Sequence, residues 1–177
     1  LEAGIRALYL EDDTPWVIGY SGGKDSSTCL QLVWNALAGL PTEQLAKPVY
    51  VISTDTMVEN PVVSLWVTES LAKIGKAASE QGLPFQAKQL TPTVEDSFWV
   101  NLIGKGYPAP RPRFRWCTER LKIRPSNKFI LDVVHKSGEV ILVLGTRSAE
   151  SAVRAASIKK YKDQSPREGL SVHDTLA

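Results

Sequence analysis

The sequence predicts an α/β fold, a doubly wound parallel sheet with helices on both faces. Predicted strands alternate with predicted helices along the chain, which is the pattern of parallel strands joined by helical crossovers. The strands are nearly continuous apolar runs, as expected for strands that are buried on both faces. Three of them end in polar residues, and sheets of this class bind ligands at the carboxyl ends of their strands. We therefore expect one functional site at that edge of the sheet.

The first half of the chain contains two predicted strands, each followed by a helix. Residues 16–20 form an apolar run that ends at glycines, and the helix after it begins near Asp25. Residues 48–53 are mostly apolar and β-branched, which predicts the second strand. A long helix then runs from Pro61, a residue suited to the first helical position, to about Gln81.

The second half continues the alternation with longer connections. A more polar strand is predicted at 85–90, and the most apolar strand of the chain at 140–144. Between them we predict a short helix at 94–104 and a helix over 118–136. Pro125 must kink or restart that second helix, because proline lacks the backbone N–H that an inner helical turn requires.

We predict one domain over residues 1–158, closed by a helix from 148 to about 158. Within it, residues 105–128 form a basic segment that binds substrate. A polar C-terminal tail follows at 159–177 and is left open as the start of a further region. The chain has 177 residues, which is enough for one domain with its own apolar core.

The composition is that of a soluble protein. Hydrophobic residues make up 43% of the chain and charged residues 23%, and no apolar stretch approaches the roughly 20 residues of a membrane span. There is no charged-then-apolar leader, and two cysteines far apart in sequence do not form the pattern of a secreted disulfide protein. We expect a cytoplasmic protein with no membrane association and no disulfide framework.

The net charge of +2 conceals a strongly basic segment. Residues 105–128 contain eight lysines or arginines and one acidic residue, so this window carries +7 and the rest of the chain −5. A basic segment on an acidic body indicates a polyanionic partner. Three aromatic residues lie among the cations and are candidates for stacking on bases: Tyr107, Phe114 and Trp116.

Residues 19–27, GYSGGKDSS, have the composition of a phosphate-binding loop between a strand and a helix. Gly22 and Gly23 let backbone N–H groups approach a phosphate, and the following helix adds its positive N-terminal end. Lys24 supplies a positive charge, and further hydrogen bonds come from three hydroxyls, those of Ser21, Ser26 and Ser27. The spacing matches neither a Walker A loop nor a dinucleotide fingerprint. The structural alternative is a glycine–serine turn that only caps the helix.

Polar residues also follow two other predicted strands. Asp55 comes after the second strand, where a carboxylate can contact ribose hydroxyls or a magnesium ion, or simply cap the next helix. Gly145 closes the last strand, and Arg147, Glu150 and Arg154 after it share one helical face. The two arginines are candidates to neutralise negative charge on bound phosphates. The alternative for them is a salt-bridged surface helix.

The segment SGGKDS matches the SGGxDS signature of the PP-loop ATP pyrophosphatases, so the chain resembles that family over roughly residues 16–158. The resemblance implies an adenine nucleotide alpha hydrolase-like fold and cleavage of ATP between its α and β phosphates. Pyrophosphate then leaves, and AMP is transferred to an oxygen of the substrate. The implied ligands are ATP, held by residues 21–27 with Asp55, Gly145 and Arg147, and magnesium, held by Asp25 and Asp55.

Two further segments, RWCTERLKIRP at 115–125 and GTRSAESAVRA at 145–155, resemble the phosphoadenylyl sulfate reductase branch of that family. They are most similar to the DNA phosphorothioation sulfurtransferases of the DndC and SspD type. These enzymes adenylate a DNA backbone phosphate and replace a non-bridging oxygen by sulfur. The implied catalytic residues are Lys24, Asp25, Cys117, Lys122, Arg147 and Arg154.

The same resemblance implies DNA as substrate and a cysteine desulfurase as sulfur donor. Other proteins of the phosphorothioation system are implied partners, and assembly into a homo-oligomer is left open. The DNA-binding candidates are the arginines of the basic segment, Arg111, Arg113, Arg115, Arg120 and Arg124.

Cys117 has three interpretations: a persulfide-carrying nucleophile, an iron–sulfur ligand, or a buried structural thiol. A cubane cluster normally needs four thiolates and the sequence holds two cysteines, so a cluster is unsupported by these residues unless further C-terminal sequence or a second subunit supplies ligands. Cys29 lies on the apolar face of a predicted helix and is interpreted as structural. His135 and His173 lack partners at metal-ligand spacing and are interpreted as bystanders.

Three other functions compete with DNA phosphorothioation. A phosphoadenylyl or adenylyl sulfate reductase acts on a small nucleotide, but its C-terminal Glu-Cys-Gly motif is absent from these residues. A tRNA thiolase commonly carries paired cysteines, which the sequence also lacks. A nucleotide-gated DNA-binding module without catalysis is the third, and the retention of Ser21, Lys24 and Asp25 together argues against it.

Overall fold

The computed structural model describes residues 1–146 and 155–156. The chain divides into two compact units, Leu1–Leu144 and Gly145–Ala177, and every element given below belongs to the first. Of the second unit, residues 145–146 and 155–156 are described. The predicted helix at 148–158 lies outside the described residues except at 155–156, as does the whole tail at 159–177. The predicted boundary at residue 158 therefore stays a prediction.

Four parallel strands form one sheet, which confirms the predicted α/β class. The strands are β1 (Trp16–Gly19), β2 (Val49–Thr54), β3 (Phe85–Leu90) and β4 (Ile141–Leu144). Their order across the sheet is β3-β2-β1-β4. The two central strands are the most completely buried, as expected for apolar runs that pack on both faces.

Helices connect these strands. The longer ones are α1 (Glu2–Leu10), α2 (Lys24–Ala38), α3 (Pro61–Glu80) and α5 (Arg124–Ser137), with a short α4 at Trp116–Thr118. Short helical turns lie at Thr42–Gln44, Val94–Asp96, Val100–Gly104 and Glu119–Ile123. Helix α1 was not predicted from the sequence. Within the described residues, no helix is both long enough and apolar enough to cross a bilayer.

The sheet carries helices on both faces, as predicted. On one face, the Trp34 ring of α2 stacks on Phe85 of β3 at 4.7 Å between centroids. On the other, the Phe129 ring of α5 meets Tyr50 of β2 edge-on at 5.4 Å. The chain moves from β1 to β3 in one direction and then returns to β4 on the far side of β1. The carboxyl ends of β1 and β4 therefore flank a topological switch point, where ligands bind in such sheets.

Residues 94–104 form two short helical turns, whereas one continuous short helix was predicted. Asn101 is fully buried, and its side-chain nitrogen donates to the carbonyl oxygens of Glu95, at 3.0 Å, and Ser97, at 2.8 Å. Because these bonds compete with regular helical pairing, the segment forms two separate turns. By contrast, the segment from Trp116 to Ser137 is helical throughout, with a π-helical turn directly before Pro125. That turn accommodates the missing proline donor and confirms the predicted irregularity.

A buried lysine binds α1 at the edge of the sheet formed by the amino ends of the strands, opposite the edge that carries the candidate site. Lys47 is 5% exposed, and its ammonium lies 3.1 Å from Oδ1 of Asp12 and 4.7 Å from the centre of the Tyr9 ring. The Tyr9 hydroxyl donates to the Lys47 carbonyl oxygen at 2.8 Å. Burial raises the pKa of Tyr9 to about 12, against the lowering effect of that hydrogen bond. These contacts are structural, since they lie away from the strand ends that carry the candidate site.

Candidate functional site

Residues 21–27, here called the phosphate loop, leave β1 at the switch point and open α2. Gly22 has a φ of 72°, a left-handed conformation that glycine adopts without strain. Gly23 is the N-cap of α2, and no side chain caps this helix. Gly23 has no side chain to cap the helix start, which is the arrangement found at helix N-termini that bind anions. Lys24 is exposed and Asp25 is half-buried in the first turn.

Ser26 organises the loop from within. Its side chain is buried, and its hydroxyl donates to the Gly23 carbonyl oxygen at 3.0 Å. The same oxygen accepts from the Ser21 backbone N–H at 3.2 Å and lies 3.2 Å from the Ser21 hydroxyl. The structure thus uses the Ser26 hydroxyl to hold the loop in shape, whereas the sequence predicted it as a phosphate donor. Ser27 is half-buried, and its backbone N–H donates to the Gly23 carbonyl at 3.0 Å.

The indole of Trp66 lies against the phosphate loop, a contact that the sequence did not predict. A Cβ atom placed on Gly22 would lie 2.2 Å from Cζ3 of Trp66, so only glycine fits beside this ring. Trp66 lies on α3, far from Gly22 in sequence and on a different connection of the sheet. No local pattern identifies such a pair, because only the packing of α3 beside α2 brings them together.

Asp55 lies at the carboxyl end of β2, as predicted, with both carboxylate oxygens engaged. Oδ1 accepts from the backbone N–H of Met57 at 2.8 Å, and Oδ2 accepts from the Ser64 hydroxyl at 3.0 Å. Asn60 is the N-cap of α3, so Asp55 does not cap that helix in the ordinary sense. It instead ties the β2–α3 loop, including Met57 with its positive φ of 62°, to the second turn of α3. Each oxygen keeps a further acceptor position for a hydroxyl or a cation.

The basic segment divides into paired and unpaired cations. Arg111 and Phe114 bond to each other through both backbone groups, at 2.8 and 3.1 Å, which forms a tight turn with Arg113 near its tip. Arg111, Arg113 and Arg115 are exposed and form no ion pair within the described residues. Their charges are therefore open to a polyanion, as the sequence predicted for these three.

Arg120 and Arg124 instead pair with Asp96. One Asp96 oxygen lies 2.8 Å from Nη1 of each arginine, and Arg120 also donates to the Tyr107 hydroxyl at 2.8 Å. Burial raises the pKa of Asp96, but hydrogen bonds from Arg124 and Arg120 outweigh it and leave the pKa below its ordinary value of 3.8. The predicted DNA contacts of these two arginines therefore compete with an internal ion pair.

Two of the three predicted stacking residues lie in an internal aromatic cluster. Trp116 is buried, stacks on Phe98 at 5.4 Å and meets Tyr107 edge-on at 5.6 Å. Its Nε1 donates to the Pro108 carbonyl oxygen at 3.0 Å. The expectation that Trp116 is free to stack on a base is wrong, because its ring is already covered. Phe114 remains partly exposed beside the arginine turn.

Two contacts tie the helix after Cys117 to the carboxyl end of β2. The Lys122 ammonium lies 2.8 Å from Oε1 of Glu59, and the Ser126 hydroxyl lies 3.1 Å from the Thr54 hydroxyl. Lys122 therefore lies at the strand edge that also holds Asp55, in an exposed ion pair that water and salt weaken. The catalytic role implied for Lys122 stays a prediction.

Both cysteines are free thiols and half-buried. Burial raises the pKa of Cys29, which agrees with its interpretation as a structural residue on α2. Cys117 follows the buried Trp116 and precedes the π-helical turn that carries Lys122. Among the described residues, no three His, Cys, Asp or Glu side chains form a cluster that could hold a metal ion.

The third predicted polar set is largely outside the described residues. Gly145 follows β4 directly, while Arg147, Glu150 and Arg154 are among the residues that the structure does not describe. His173 lies in the same undescribed part, and His135 lies in the last turn of α5. The roles predicted for Arg147 and Arg154 stay predictions.

Comparison with known proteins finds the following similarities. The chain is 26% identical over 159 residues to uncharacterized protein MJ0066 of Methanocaldococcus jannaschii, which covers 90% of this chain and 28% of that protein. It is also similar to the solved structure of the U34-tRNA thiolase NcsA from Methanococcus maripaludis with its 4Fe-4S cluster. That similarity has 16% identity and a TM-score of 0.48 and covers 93% of this chain and 50% of the other. No protein-family profile matches the chain.

Proposed function

We propose that this chain is the catalytic part of a PP-loop ATP pyrophosphatase that activates a DNA backbone phosphate for sulfur transfer. The observation that carries the proposal is the SGGKDS loop. It leaves a central parallel strand at the switch point of the sheet and opens an N-terminally uncapped helix. A glycine in the left-handed conformation, an exposed lysine and the N-terminus of α2 without a side-chain cap form a site suited to a chain of phosphates.

The proposed reaction begins with ATP on the phosphate loop. An oxygen of the substrate phosphate attacks the α-phosphorus of ATP, a phosphoanhydride bond forms, and pyrophosphate leaves. Lys24 and the first-turn amides of α2 stabilise the negative charge that develops on the leaving group. Asp55 would accept hydrogen bonds from the ribose hydroxyls or, with Asp25, would hold a magnesium ion. Its carboxylate has unused acceptor positions, and Mg²⁺ in such sites needs one or two carboxylates together with the phosphates.

Sulfur transfer is the second half of the proposed reaction. A sulfide equivalent, delivered by a cysteine desulfurase with a thiol as reductant, attacks the activated phosphorus. AMP then leaves with the former substrate oxygen, and the product is a phosphorothioate. Cys117 is proposed to take the sulfur from the desulfurase as a persulfide, whose outer sulfur is the attacking atom. The thiol reductant then cleaves the S–S bond between Cys117 and that sulfur, which releases the phosphorothioate and regenerates the Cys117 thiol. Lys122 is proposed to lie near the reacting phosphate. Two cysteines do not suffice for a four-thiolate cluster, so no step of this reaction passes through one.

The arginine turn at residues 111–115 is proposed to hold the DNA backbone. Its three arginines are exposed and without ion pairs in the described part of the chain. Their contacts with phosphates release counterions, so the affinity falls as salt rises. Other proteins of a phosphorothioation system are proposed partners, and a second copy of the chain is a further one.

A product assay with three substrates tests this function. The protein, ATP labelled at the α-phosphate, a cysteine desulfurase, cysteine and a thiol reductant are incubated with duplex DNA, with tRNA or with adenylyl sulfate. The expected result is labelled AMP and pyrophosphate with DNA, and phosphorothioate dinucleotides in the digested DNA by mass spectrometry. Orthophosphate as the sole product contradicts the pyrophosphatase. Turnover with tRNA or adenylyl sulfate but not with DNA contradicts DNA as the substrate and identifies the enzyme as a tRNA thiolase or a sulfate reductase instead.

A further inference from the structure

Trp66 presents an aromatic surface directly beside the phosphate loop. Its ring lies against Gly22, yet the side chain is 50% exposed. No other ring stacks on it within the described residues. By contrast, each of the other four tryptophans packs against an aromatic partner: Trp16, Trp34, Trp99 and Trp116.

The position of Trp66 links the phosphate loop to Asp55. Ser64, two residues earlier on α3, donates its hydroxyl to Asp55 at 3.0 Å. The same helix therefore touches the loop through Trp66 and the end of β2 through Ser64. The proposed ligand has its phosphates at the first of these points and its ribose at the second. The Trp66 indole lies two residues from Ser64 on the same helix, and its exposed surface is available to a base attached to that ribose.

Holding the conformation of the phosphate loop does not by itself explain a tryptophan at position 66. Ser26 already holds the loop from inside through three contacts, and Gly22 adopts its backbone conformation without help from a ring. A half-exposed indole gives up much of the stabilisation that burial of a tryptophan offers. A nucleobase would cover that surface, since every base has a π-face and base–aromatic stacking is sequence-tolerant.

We propose that Trp66 is the stacking platform for the aromatic base of the nucleotide whose phosphates lie on the loop. The inference rests on the proposed function for the presence of a nucleotide there. It adds a base-recognising residue on α3, outside the motifs that point to the phosphates. Its specific consequence is that Trp66 acts on ligands that carry a base and not on those that consist of phosphates alone.

A ligand pair separates this role from a structural one. Binding of ATP and of inorganic tripolyphosphate, each with Mg²⁺, is measured by calorimetry for the wild-type chain, Trp66→Ala, Trp66→Phe and Trp99→Ala. We expect Trp66→Ala to weaken ATP binding roughly ten- to hundredfold and to leave tripolyphosphate binding within about twofold. Trp66→Phe keeps most of the ATP affinity. Trp99→Ala is the matched control, because Trp99 is also exposed but packs on Phe98 in another segment.

The possible results are distinct. Equal weakening of both ligands by Trp66→Ala means that the ring only shapes the loop, and no change for either means that it is a bystander; both overturn the inference. If the wild-type chain binds ATP no better than tripolyphosphate, the base is not recognised and the inference also fails. If the wild-type chain binds neither ligand, the proposed function itself fails. Quenching of Trp66 fluorescence by ATP, absent in Trp66→Phe, is expected alongside the affinity change.

Discussion

The carboxylate of Asp96 lies 2.8 Å from the guanidinium of Arg120, and this ion pair links the helical segment that begins at Trp116 to the connection after β3. Asp96 also accepts from Arg124 at 2.8 and 3.1 Å. The aromatic cluster around Trp116 packs beside the same junction. The position of the Cys117 segment therefore depends on one carboxylate that forms ion pairs with two arginines.

We expect Asp96→Asn to lower the free energy of unfolding by roughly 2 kcal/mol at pH 7, because hydrogen bonds to charged groups contribute about that much. The pKa of Asp96 is held below its ordinary value. Its contribution is therefore complete above pH 3.8 and is lost as the pH falls through the lowered value. Urea unfolding at neutral and acidic pH measures both effects. Asp132→Asn, at an exposed position of α5, is the control, and equal losses in the two variants would contradict the prediction.

Gly22→Ala is expected to impair the phosphate loop through two effects. The substitution places a Cβ against the Trp66 ring and forces alanine to a φ of 72°. We expect a loss of roughly 1–2 kcal/mol in stability and at least about tenfold in ATP affinity. Gly82→Ala separates the two effects, since Gly82 has a φ of 65° and no atom within 4 Å of a new Cβ. Thermal unfolding and calorimetry of both variants measure the difference. If Gly82→Ala weakens ATP binding as much as Gly22→Ala does, the role of Gly22 in the phosphate loop is refuted.

Removal of the Ser26 hydroxyl is expected to loosen the phosphate loop without unfolding the chain. Ser26→Ala removes the acceptor of the Ser21 N–H and one of the two hydrogen bonds to the Gly23 carbonyl, which keeps the bond from the Ser27 N–H, at a cost of roughly 0.5–1.5 kcal/mol for these partly exposed groups. We expect weaker binding of both ATP and pyrophosphate, because the loop backbone is no longer preorganised. Thr28→Ala serves as the control, since that hydroxyl only bonds back to the Lys24 carbonyl at 2.8 Å. Unchanged pyrophosphate affinity in Ser26→Ala would count against this role.

The two cysteines are expected to differ in sulfur transfer. Burial raises the pKa of Cys29, so less of its reactive thiolate is present at neutral pH, and slow alkylation is expected there. We expect Cys117→Ser to abolish phosphorothioate formation and to leave ATP binding intact, whereas Cys29→Ser retains both. Mass spectrometry of alkylated peptides and of digested DNA makes the comparison. Full activity in Cys117→Ser removes the persulfide step from the proposal.

The unpaired arginines are expected to dominate DNA affinity. Replacing Arg111, Arg113 and Arg115 together by alanine removes up to three cations from the DNA backbone. The slope of log K against log salt should then fall by about 0.7–0.9 for each phosphate that is no longer neutralised. The control removes the same charge elsewhere, by alanine at the exposed lysines Lys73, Lys76 and Lys88. Titrations of labelled DNA at several salt concentrations give both slopes, and equal slopes for the triple variant and the wild type mean that the turn faces another partner.

Local patterns were sufficient for most of the fold. The strands at 16–20 and 140–144 were predicted to within one residue, because continuous apolar runs that end at glycine have few other ways to fold. Helix α1 was not predicted, because its packing depends on the contact between Tyr9 and Lys47, which are far apart in the sequence. The predicted helix at 94–104 was broken by Asn101, whose side-chain bonds depend on burial that no periodicity reports.

By itself, the sequence determined the parallel α/β class and the place of the SGGKDS loop at a strand end, because hydrophobic period and glycine spacing act over neighbouring residues. Only the tertiary structure decided which of the predicted groups are available. It pairs Arg120 and Arg124 with Asp96, covers Trp116, uses the Ser26 hydroxyl inside the loop and sets Trp66 against Gly22. The physical reason is that ion pairing, burial and ring contact depend on distances between residues remote in the chain, which are defined only when the helices pack on the sheet.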